Sequence, residues 1–384
     1  MAWRFVKDGV DSVFKLFLKS RGLSHFSRYL ETHPYVRQHV LPYLCLVGGF
    51  LFDILTLGRI DQTWSLFQQG IFLFMIFLLL YLHERQERVQ KWGEGFAKFW
   101  LYHEGLLQFF MGGLLSAYTL FYFKSSSSWM VLTFVLVLLL LMVLNEKKGL
   151  LDARFPIRYA MVSLCVCSFL IYLVPIVLRA LSFWTFLLSI FLSILVYFVW
   201  MKLLIPRAQW KTFASIKKII AGIVVPIVFL VLYSFKLVPP VPLAALTMGV
   251  YHDVQKKDDT YMLYYNRPWY LFWQKGDQTF YTKEGDKVWF FTSVFAPTDL
   301  KHEIYVKWQK REQNGWQTSD RIPIEIRGGR DEGYRGVAYK KNYSNGIWRI
   351  LLETEDEREL GRLSFEILPE YRDLETITNR MQRY

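Results

Sequence analysis

The sequence predicts a multi-pass α-helical membrane bundle of about seven spans, followed by an all-β antiparallel sandwich domain. Of the 384 residues, 53% are hydrophobic and only 21% are charged, and the mean hydropathy is positive, as in integral membrane proteins. Apolar blocks long enough to cross a bilayer recur through residues 39–238. Beyond them the sequence becomes polar and aromatic, with the alternating pattern of β-strands.

Residues 1–38 predict a cytoplasmic amphipathic arm. Trp3, Val6 and Val10 recur at helical spacing, with basic side chains between them. Such a helix either lies on an anionic leaflet or packs against the membrane spans, and the sequence leaves both options open.

Seven apolar blocks are candidate spans. The fifth and sixth are separated only by Arg179 and Ala180, and no single helix of their combined length fits a bilayer. We therefore expect a tight hairpin turn at Arg179. The candidate spans are 40–57, 63–82, 105–123, 129–144, 157–178, 181–200 and 219–237.

The basic residues give the orientation. The arm and alternate connections carry seven, four, four and five Lys or Arg residues, whereas the remaining connections carry one each: Arg59, Lys124 and Arg179. Because cytoplasmic loops are enriched in Lys and Arg, the N-terminus is predicted inside and the C-terminal domain outside the cytoplasm. The net charge of +13 comes entirely from residues 1–250, since residues 251–384 hold 22 basic and 22 acidic residues. This charge distribution argues against a nucleic-acid partner and predicts that the partner of the basic segments is the lipid bilayer.

The region after the last span is predicted in three parts. Prolines at 239, 240 and 242 predict a short stalk over 239–250. Period-2 alternation around Ile324 and Phe365, with turns such as Asn314-Gly315 between the strands, predicts an extracytoplasmic β-sandwich over 251–369. Residues 370–384 are interpreted as a C-terminal tail, either a short helix or untethered.

Within residues 308–368 the chain runs through Gly328-Gly329-Arg330, Gly333-Tyr334-Arg335 and a last strand that contains Phe365. This pattern resembles the bacterial domain of unknown function 2914. The membrane segments 49–59 and 108–125 also resemble longer members of that family. The resemblance implies a bacterial inner-membrane protein and no particular reaction. It is carried by His302, Trp308, Gly328, Gly329, Arg330, Gly333, Tyr334, Arg335, Lys340, Gly346, Trp348, Arg349 and Phe365.

Asp53 is the candidate site residue within the spans. A charge near the bilayer centre costs several kcal/mol, so intramembrane acids usually face a partner or a polar cavity. Arg59, Lys124 and Arg179 belong to the same predicted outer surface. One interpretation is a site for an anionic headgroup or a proton, and the other is a salt bridge that clamps helices together.

A second candidate site is the glycine-rich turn of the outer domain. Arg330 and Arg335, with Tyr334, Lys340 and Trp348 from the family pattern, predict a loop that receives a carboxylate or phosphate. Alternatively, the glycines serve a turn and the arginines pair with acids on adjacent strands.

The sequence holds no motif that predicts a cofactor. GxGxxG, GxxxxGK[ST] and GxSxG are all missing. His83, Glu84 and His103 include metal-ligating residue types, but HExxE replaces the zinc motif HExxH, and we predict no metal.

Taken together, these features predict a non-enzymatic envelope protein whose periplasmic sandwich binds a partner protein or a glycan. Aromatic side chains around 261–280 are candidates for core packing, for membrane-interface contact or for stacking on sugar rings. A transporter or flippase of an anionic lipid-linked substrate is the alternative, and a membrane enzyme at the outer leaflet is a weaker one.

Overall fold

A computed structural model describes most of the chain, and its residues fall into two compact units. The first unit comprises the described parts of Met1–Leu120, Val135–Ile171 and Leu187–Val231. The second comprises those of Phe121–Phe134, Tyr172–Phe186 and Leu232–Tyr384. The described residues are 51, 53, 61–85, 100, 103–125, 133–138, 140, 157–258, 260–266, 270–271, 274–282, 285–297, 301–327, 333–369 and 380–384.

Within the described part of the chain, five helices are long and apolar enough to cross a membrane. Each has 21 or 22 residues, close to the roughly 20 that a bilayer core requires. They are α1 (Thr63–His83), α2 (His103–Lys124), α3 (Ile157–Leu178), α4 (Phe183–Leu204) and α5 (Phe213–Ser234).

These helices coincide with five of the seven predicted spans. The other two, 40–57 and 129–144, lie largely outside the described residues, although 51, 53, 133–138 and 140 are helical. α5 begins at Phe213, one and a half turns before the predicted start at 219. Thr212 explains this start, because its Oγ1 accepts a hydrogen bond from the Ser215 backbone N–H at 3.4 Å.

The predicted hairpin turn at Arg179 is confirmed. α3 ends at Leu178, and Arg179 adopts a left-handed conformation with φ of 54°. Ser182 then begins α4 through two reciprocal hydrogen bonds with Thr185, of which the bond from the Ser182 backbone N–H to Thr185 Oγ1 measures 2.9 Å. This arrangement satisfies backbone donors at the helix start.

The predicted stalk at 239–250 is a buried part of the β-region instead. Strand β1 (Ala244–Tyr251) begins there, and Leu243 and Val250 are fully buried in the core. α5 ends at Ser234, before the prolines, and Lys236 just beyond it is left-handed with φ of 57°. The apolar residues between and after the prolines favour burial over an exposed spacer.

The second unit carries eleven strands among its described residues, arranged in three sheets. The sheet orders are β1–β5–β8, β4–β10–β9–β6–β7 and β11–β3–β2. The remaining strands are β2 (Asp253–Lys257), β3 (Thr260–Tyr265), β4 (Thr279–Thr282), β5 (Val288–Phe295), β6 (Lys301–Glu312), β7 (Gly315–Arg327), β8 (Tyr334–Lys340), β9 (Gly346–Thr354), β10 (Glu359–Pro369) and β11 (Arg380–Arg383).

The strands predicted around Ile324 and Phe365 are confirmed, but the expectation of a wholly antiparallel arrangement is wrong for one pair. β4 runs parallel to β10, with Phe280 opposite Ile367. Both side chains are buried in the same core, and the long connection between the strands permits parallel pairing.

A single aromatic-rich core receives side chains from the first two sheets. Trp308 of β6 is fully buried, and its ring contacts Phe290 of β5 and Phe365 of β10 edge-on, at centroid distances of 6.4 and 6.2 Å. Such edge-to-face contacts add to the free energy gained from burying the rings.

The last residues are not an untethered tail or a helix. β11 pairs antiparallel with β3, and the Tyr384 ring lies 5.1 Å from that of Phe291. The Tyr384 hydroxyl also shares a hydrogen bond with Thr247 at 3.0 Å. Backbone pairing and aromatic burial therefore hold this segment, while residues 370–379 lie outside the described ones.

Candidate functional site

Asp53 has a hydroxyl group as a partner. Ser116 Oγ donates a hydrogen bond to Asp53 Oδ2 at 2.5 Å, and the aspartate is half-buried in the first unit. Lys124 and Arg179 are exposed, and Arg59 lies outside the described residues. The predicted headgroup or proton site at Asp53 stays a prediction, and no sequence pattern indicated Ser116 as the partner of Asp53.

Lys340 occupies a structural position between two strands from different sheets. Only 6% of its side chain is exposed, and its Nζ donates to Ser319 Oγ at 2.9 Å and pairs with Asp320. The hydrogen bond from Lys340 lowers the pKa of Asp320. Since β8 carries Lys340 and β7 carries both partners, this ion pair connects an edge strand of the β1–β5–β8 sheet to an edge strand of the five-stranded sheet.

The other predicted residues of the outer-domain site are spread along β8 and β9. Trp348 is buried and donates its indole N–H to the Ser344 carbonyl at 2.8 Å, while Tyr334 packs against the core. The Arg335 guanidinium lies 5.5 Å from the Tyr384 ring centroid. Arg330 lies outside the described residues. These contacts agree with packing roles, and an anion-binding role stays a prediction.

Gly333 supports the interpretation of this glycine-rich segment as a turn. Its φ is +79°, and a Cβ there would lie 2.7 Å from Ser293 Oγ. Only glycine adopts this backbone conformation without strain in so little space.

A group of polar side chains at one end of the helices in the first unit forms the inner polar cluster, defined by Glu84, Tyr159 and Lys218. Glu84 follows α1 and accepts a hydrogen bond from the Tyr159 hydroxyl of α3 at 2.5 Å. It also pairs with Lys218 of α5. Burial acts to raise the pKa of Glu84, but hydrogen bonds from Lys218 and Tyr159 outweigh it and lower the pKa. Glu84 is therefore held as a carboxylate that joins three helices.

His83 and His103 meet beside this cluster. His83 Nδ1 lies 2.9 Å from His103 Nε2, and His103 Nδ1 lies 2.6 Å from the Trp100 carbonyl oxygen. A carbonyl only accepts, so His103 Nδ1 carries the proton, and in the neutral pair His103 Nε2 accepts from His83. Among the described residues, no three His, Cys, Asp or Glu side chains are grouped closely enough to hold a metal ion. The sequence indicated these histidines, but nothing in it pointed to Tyr159 or Lys218.

A second cluster, the junction clamp, lies within the second unit and consists of Tyr233, Asp356 and Arg358. Arg358 Nη1 and Nη2 donate to the carbonyl oxygens of Val238 and Tyr233, both at 3.1 Å. Its Nε donates to Asp356 at 2.5 Å, and the Tyr233 hydroxyl donates to the same carboxylate at 3.3 Å. The guanidinium thus donates to the Tyr233 carbonyl in the last turn of α5, where positive charge complements the helix dipole, and to the Val238 carbonyl beyond the helix.

A second ion pair flanks the junction clamp. Lys236 Nζ donates to Glu357 Oε2 at 2.8 Å, and both side chains are about half exposed. Glu357 belongs to the tight turn between β9 and β10 and has φ of 60°. The end of α5 and this turn are thus joined by a buried guanidinium and an exposed salt bridge.

The β-region also presents an aromatic patch, defined by Trp289, Tyr339, Lys287 and Lys341. Trp289 of β5 and Tyr339 of β8 are register partners, and their ring centroids lie 5.0 Å apart. Lys287 Nζ lies 5.7 and 5.2 Å from these two rings, and Lys341 Nζ lies 6.0 Å from the Tyr339 ring. Tyr339 is 47% exposed. Aromatic rings beside ammonium groups suit ligands that combine flat apolar faces with negative charge.

Residues 301–367 match the family described as "Protein of unknown function (DUF2914)". The resemblance predicted for the C-terminal part of the chain is thereby confirmed. No curated protein matches the sequence.

Solved structures give only distant likenesses. An immunoglobulin-like protein from Pseudomonas aeruginosa is 12% identical over 33% of this chain and 96% of its own, with a TM-score of 0.21. A beta-glucosidase from Listeria innocua in complex with glucose is 12% identical over 24% of this chain and 15% of its own, with a TM-score of 0.18. The alkylpurine DNA glycosylase AlkC from Pseudomonas fluorescens, bound to DNA containing an abasic site analog, is 7% identical over 81% and 99%, with a TM-score of 0.19. TM-scores this low carry no inference about fold or function.

Proposed function

We propose that the chain is a non-enzymatic protein of the bacterial inner membrane whose periplasmic β-sandwich binds an envelope protein or a glycan. In this proposal seven helices span the membrane, the N-terminus is cytoplasmic and the aromatic patch is the binding surface. The single observation that carries it is the half-exposed Tyr339 ring, paired with Trp289 and flanked by two lysines.

The chemistry of the patch supports ligand binding. The exposed Tyr339 ring, beside the half-buried Trp289 ring on the neighbouring strand, presents flat apolar surface at little entropic cost, because aromatic side chains have few rotatable bonds. Lys287 and Lys341 add positive charge at the rim. A carboxylated glycan or an acidic segment of a partner protein combines the complementary features.

The junction clamp supports a link between the β-region and the end of α5. Arg358 donates to two backbone carbonyls there and to Asp356 at the same time. A ligand-induced change in the β9–β10 turn would alter these hydrogen bonds, so the last helix is the proposed path of any signal.

Site-specific photo-crosslinking tests the binding surface. A photoreactive phenylalanine analogue replaces Tyr339 in the full chain, expressed in its native membrane, and the adducts are resolved by mass. The matched control is Tyr305, which also stacks against a cation, Arg321, but lies on the five-stranded sheet. We expect adducts from position 339 that are lost when Lys287 and Lys341 are changed to Gln. An adduct that muramidase digests would identify the ligand as a glycan. An adduct that protease digests would identify it as a protein. Equal labelling at positions 305 and 339 would contradict the proposal.

An enzyme fusion tests the proposed topology. Alkaline phosphatase, which folds actively only outside the cytoplasm, is joined after Tyr384 of the full chain. An active phosphatase would agree with a cytoplasmic N-terminus followed by an odd number of membrane crossings. A fusion that is intact but inactive would contradict the seven-span arrangement.

A transporter of an anionic lipid-linked substrate is the second candidate, and Asp53 is the observation that favours it. A carboxylate within an apolar segment is costly, and its described partner is the neutral Ser116 hydroxyl. If Asp53 serves transport, Asp53→Asn abolishes uptake or flipping without lowering thermal stability. If it serves packing, Asp53→Asn and Ser116→Ala lower stability alike.

A further inference from the structure

The connection between α4 and α5 is strongly basic and contains no acidic residue. Five cations fall within 17 positions, and no Asp or Glu occurs anywhere between Asp152 and Asp253. The five are Lys202, Arg207, Lys211, Lys217 and Lys218.

Only one of these cations has a carboxylate partner within the described residues. Lys218 pairs with Glu84 in the inner polar cluster. Lys202, Arg207, Lys211 and Lys217, which we call the basic loop, form no ion pair with any described carboxylate. Lys202, Arg207 and Lys211 are exposed, and Lys217 is half-buried.

The basic loop lies beside exposed apolar surface. Lys202 Nζ lies 4.8 Å from the ring centroid of Phe198, four residues earlier on α4. Lys217 Nζ lies 4.1 Å from the ring centroid of Phe213, four residues earlier on α5. Phe213 is 72% exposed. Each ammonium group therefore lies beside an aromatic ring, and basic and aromatic side chains occur together at the headgroup level of a bilayer.

The loop between the two helices, which carries Arg207 and Lys211, is folded. The Gln209 backbone N–H donates to the Pro206 carbonyl at 2.9 Å. The Trp210 indole N–H donates to the Ile205 carbonyl at 3.1 Å, and the indole meets the Phe198 ring edge-on at 5.8 Å. This preorganisation lowers the entropic cost of binding a ligand that contacts several cations at once.

We propose that the basic loop binds the phosphate headgroups of anionic phospholipids. A membrane surface supplies phosphate oxygens for the four cations and acyl chains for the apolar surface of α4 and α5. Basic side chains close to an anionic leaflet contribute to membrane attraction additively. The loop thereby selects anionic lipids for the surface of this helix pair.

Lipid titration of the full-length protein in neutral detergent tests the proposal, with bound lipid counted by native mass spectrometry. The probes are dioleoyl phosphatidylglycerol, dioleoyl phosphatidylcholine and water-soluble glycerol phosphate. We expect the wild-type chain to bind phosphatidylglycerol more tightly than phosphatidylcholine. The fourfold variant K202Q/R207Q/K211Q/K217Q should lose this preference, with about fivefold weaker binding per removed charge.

Two matched variants make the result decisive. The control K256Q/K257Q/K275Q/R311Q removes three lysines and one arginine that are exposed in the β-region, and it should keep the preference. The charge-preserving variant K202R/R207K/K211R/K217R should also keep it, which would show that positive charge and not the particular side chain is required.

Three outcomes would overturn the proposal. One is a wild-type chain that binds both lipids equally, and another is a fourfold loop variant that keeps the preference. The third is full displacement of phosphatidylglycerol by equimolar glycerol phosphate, which would identify a site for a soluble phosphate rather than a lipid surface. If the fourfold variant does not fold, the double variant R207Q/K211Q replaces it, since both side chains are exposed in the connection.

Discussion

The guanidinium of Arg358 lies over the ring of Tyr233, with Cζ 3.1 Å from the ring centroid. The same guanidinium donates to the carbonyls of Tyr233 and Val238, so one side chain contacts both the ring and the backbone at the end of α5. Arg358 is 5% exposed, and water cannot easily replace these interactions. Cation–π contact and charge-assisted hydrogen bonds are both stronger in such a desolvated position.

Truncation of Arg358 should destabilise the second unit. Arg358→Ala removes the guanidinium that donates to the Val238 and Tyr233 carbonyls and to the Asp356 carboxylate, which costs on the order of 3 kcal/mol. The control is Arg362→Ala, because Arg362 forms an exposed salt bridge with Glu359 and its loss costs about 0–1 kcal/mol. Thermal unfolding of the full chain in detergent measures both. Equal shifts in the two variants would contradict the role assigned to Arg358.

The junction clamp should also weaken in acid. Burial acts to raise the pKa of Asp356, but the hydrogen bond from Thr354 and the charge of Arg358 outweigh it, so the pKa is lowered. A carboxyl group with a lower pKa in the folded state stabilises the fold above its unfolded pKa of about 3.9, and this stabilisation is lost as the pH falls through the folded value.

Comparison of wild type with Asp356→Asn tests this pH dependence. The wild-type chain should lose stability below about pH 4 more steeply than the variant, because the variant has no proton to take up at this site. The measurement is the midpoint of thermal unfolding between pH 3 and pH 7. Parallel pH profiles for the two proteins would show that Asp356 is not linked to folding.

Lys340 offers a test of a structural against a binding role. Lys340→Met keeps the aliphatic packing beside Trp348 but removes the ammonium that joins β8 to Ser319 and Asp320 of β7. We expect Lys340→Met to lower the free energy of unfolding by about 1–3 kcal/mol. Lys341→Met, at the exposed neighbouring position, should change stability by less than about 0.5 kcal/mol. If Lys340→Met leaves the free energy of unfolding unchanged, the result would favour a ligand-binding role for this lysine over a structural one.

The long apolar helices were predictable because their signal is local. A run of about 20 apolar residues must be helical in lipid, and Arg179 interrupts two such runs at the observed turn. The strands with alternating apolar residues, such as those around Ile324 and Phe365, were predictable for the same reason.

Features that depend on distant parts of the chain could not be predicted from the sequence. The burial of Leu243, the parallel pairing of β4 and the docking of Tyr384 each depend on partners far along the chain. The junction clamp is similar, since Tyr233 and Arg358 are separated by 125 positions and neither has a motif around it. Periodicity indicates which face of an element is buried, but it does not name the partner.

Close packing of α4 against α5 gives the last prediction. Gly222 of α5 faces the ring of Tyr197, and a Cβ at position 222 would overlap that ring. Tyr197 is held in place because it is 2% exposed and its hydroxyl donates to the Lys218 carbonyl at 2.8 Å. Gly222→Ala should therefore separate the helices or displace the ring, at a cost of about 1–3 kcal/mol despite the better helix propensity of alanine.

Gly70 of α1 supplies the matched control for this prediction. It also lies within an apolar helix, but no atom lies within 4 Å of the position that a Cβ would take. Gly70→Ala should be neutral or slightly stabilising, since alanine favours the helix. The readout is the fraction of monodisperse protein that remains after heating in detergent. In a Tyr197→Leu background Gly222→Ala should reduce stability by less, because the stability effects of mutations at contacting residues are not additive. An equal cost in both backgrounds would show that the clash with Tyr197 is not its source.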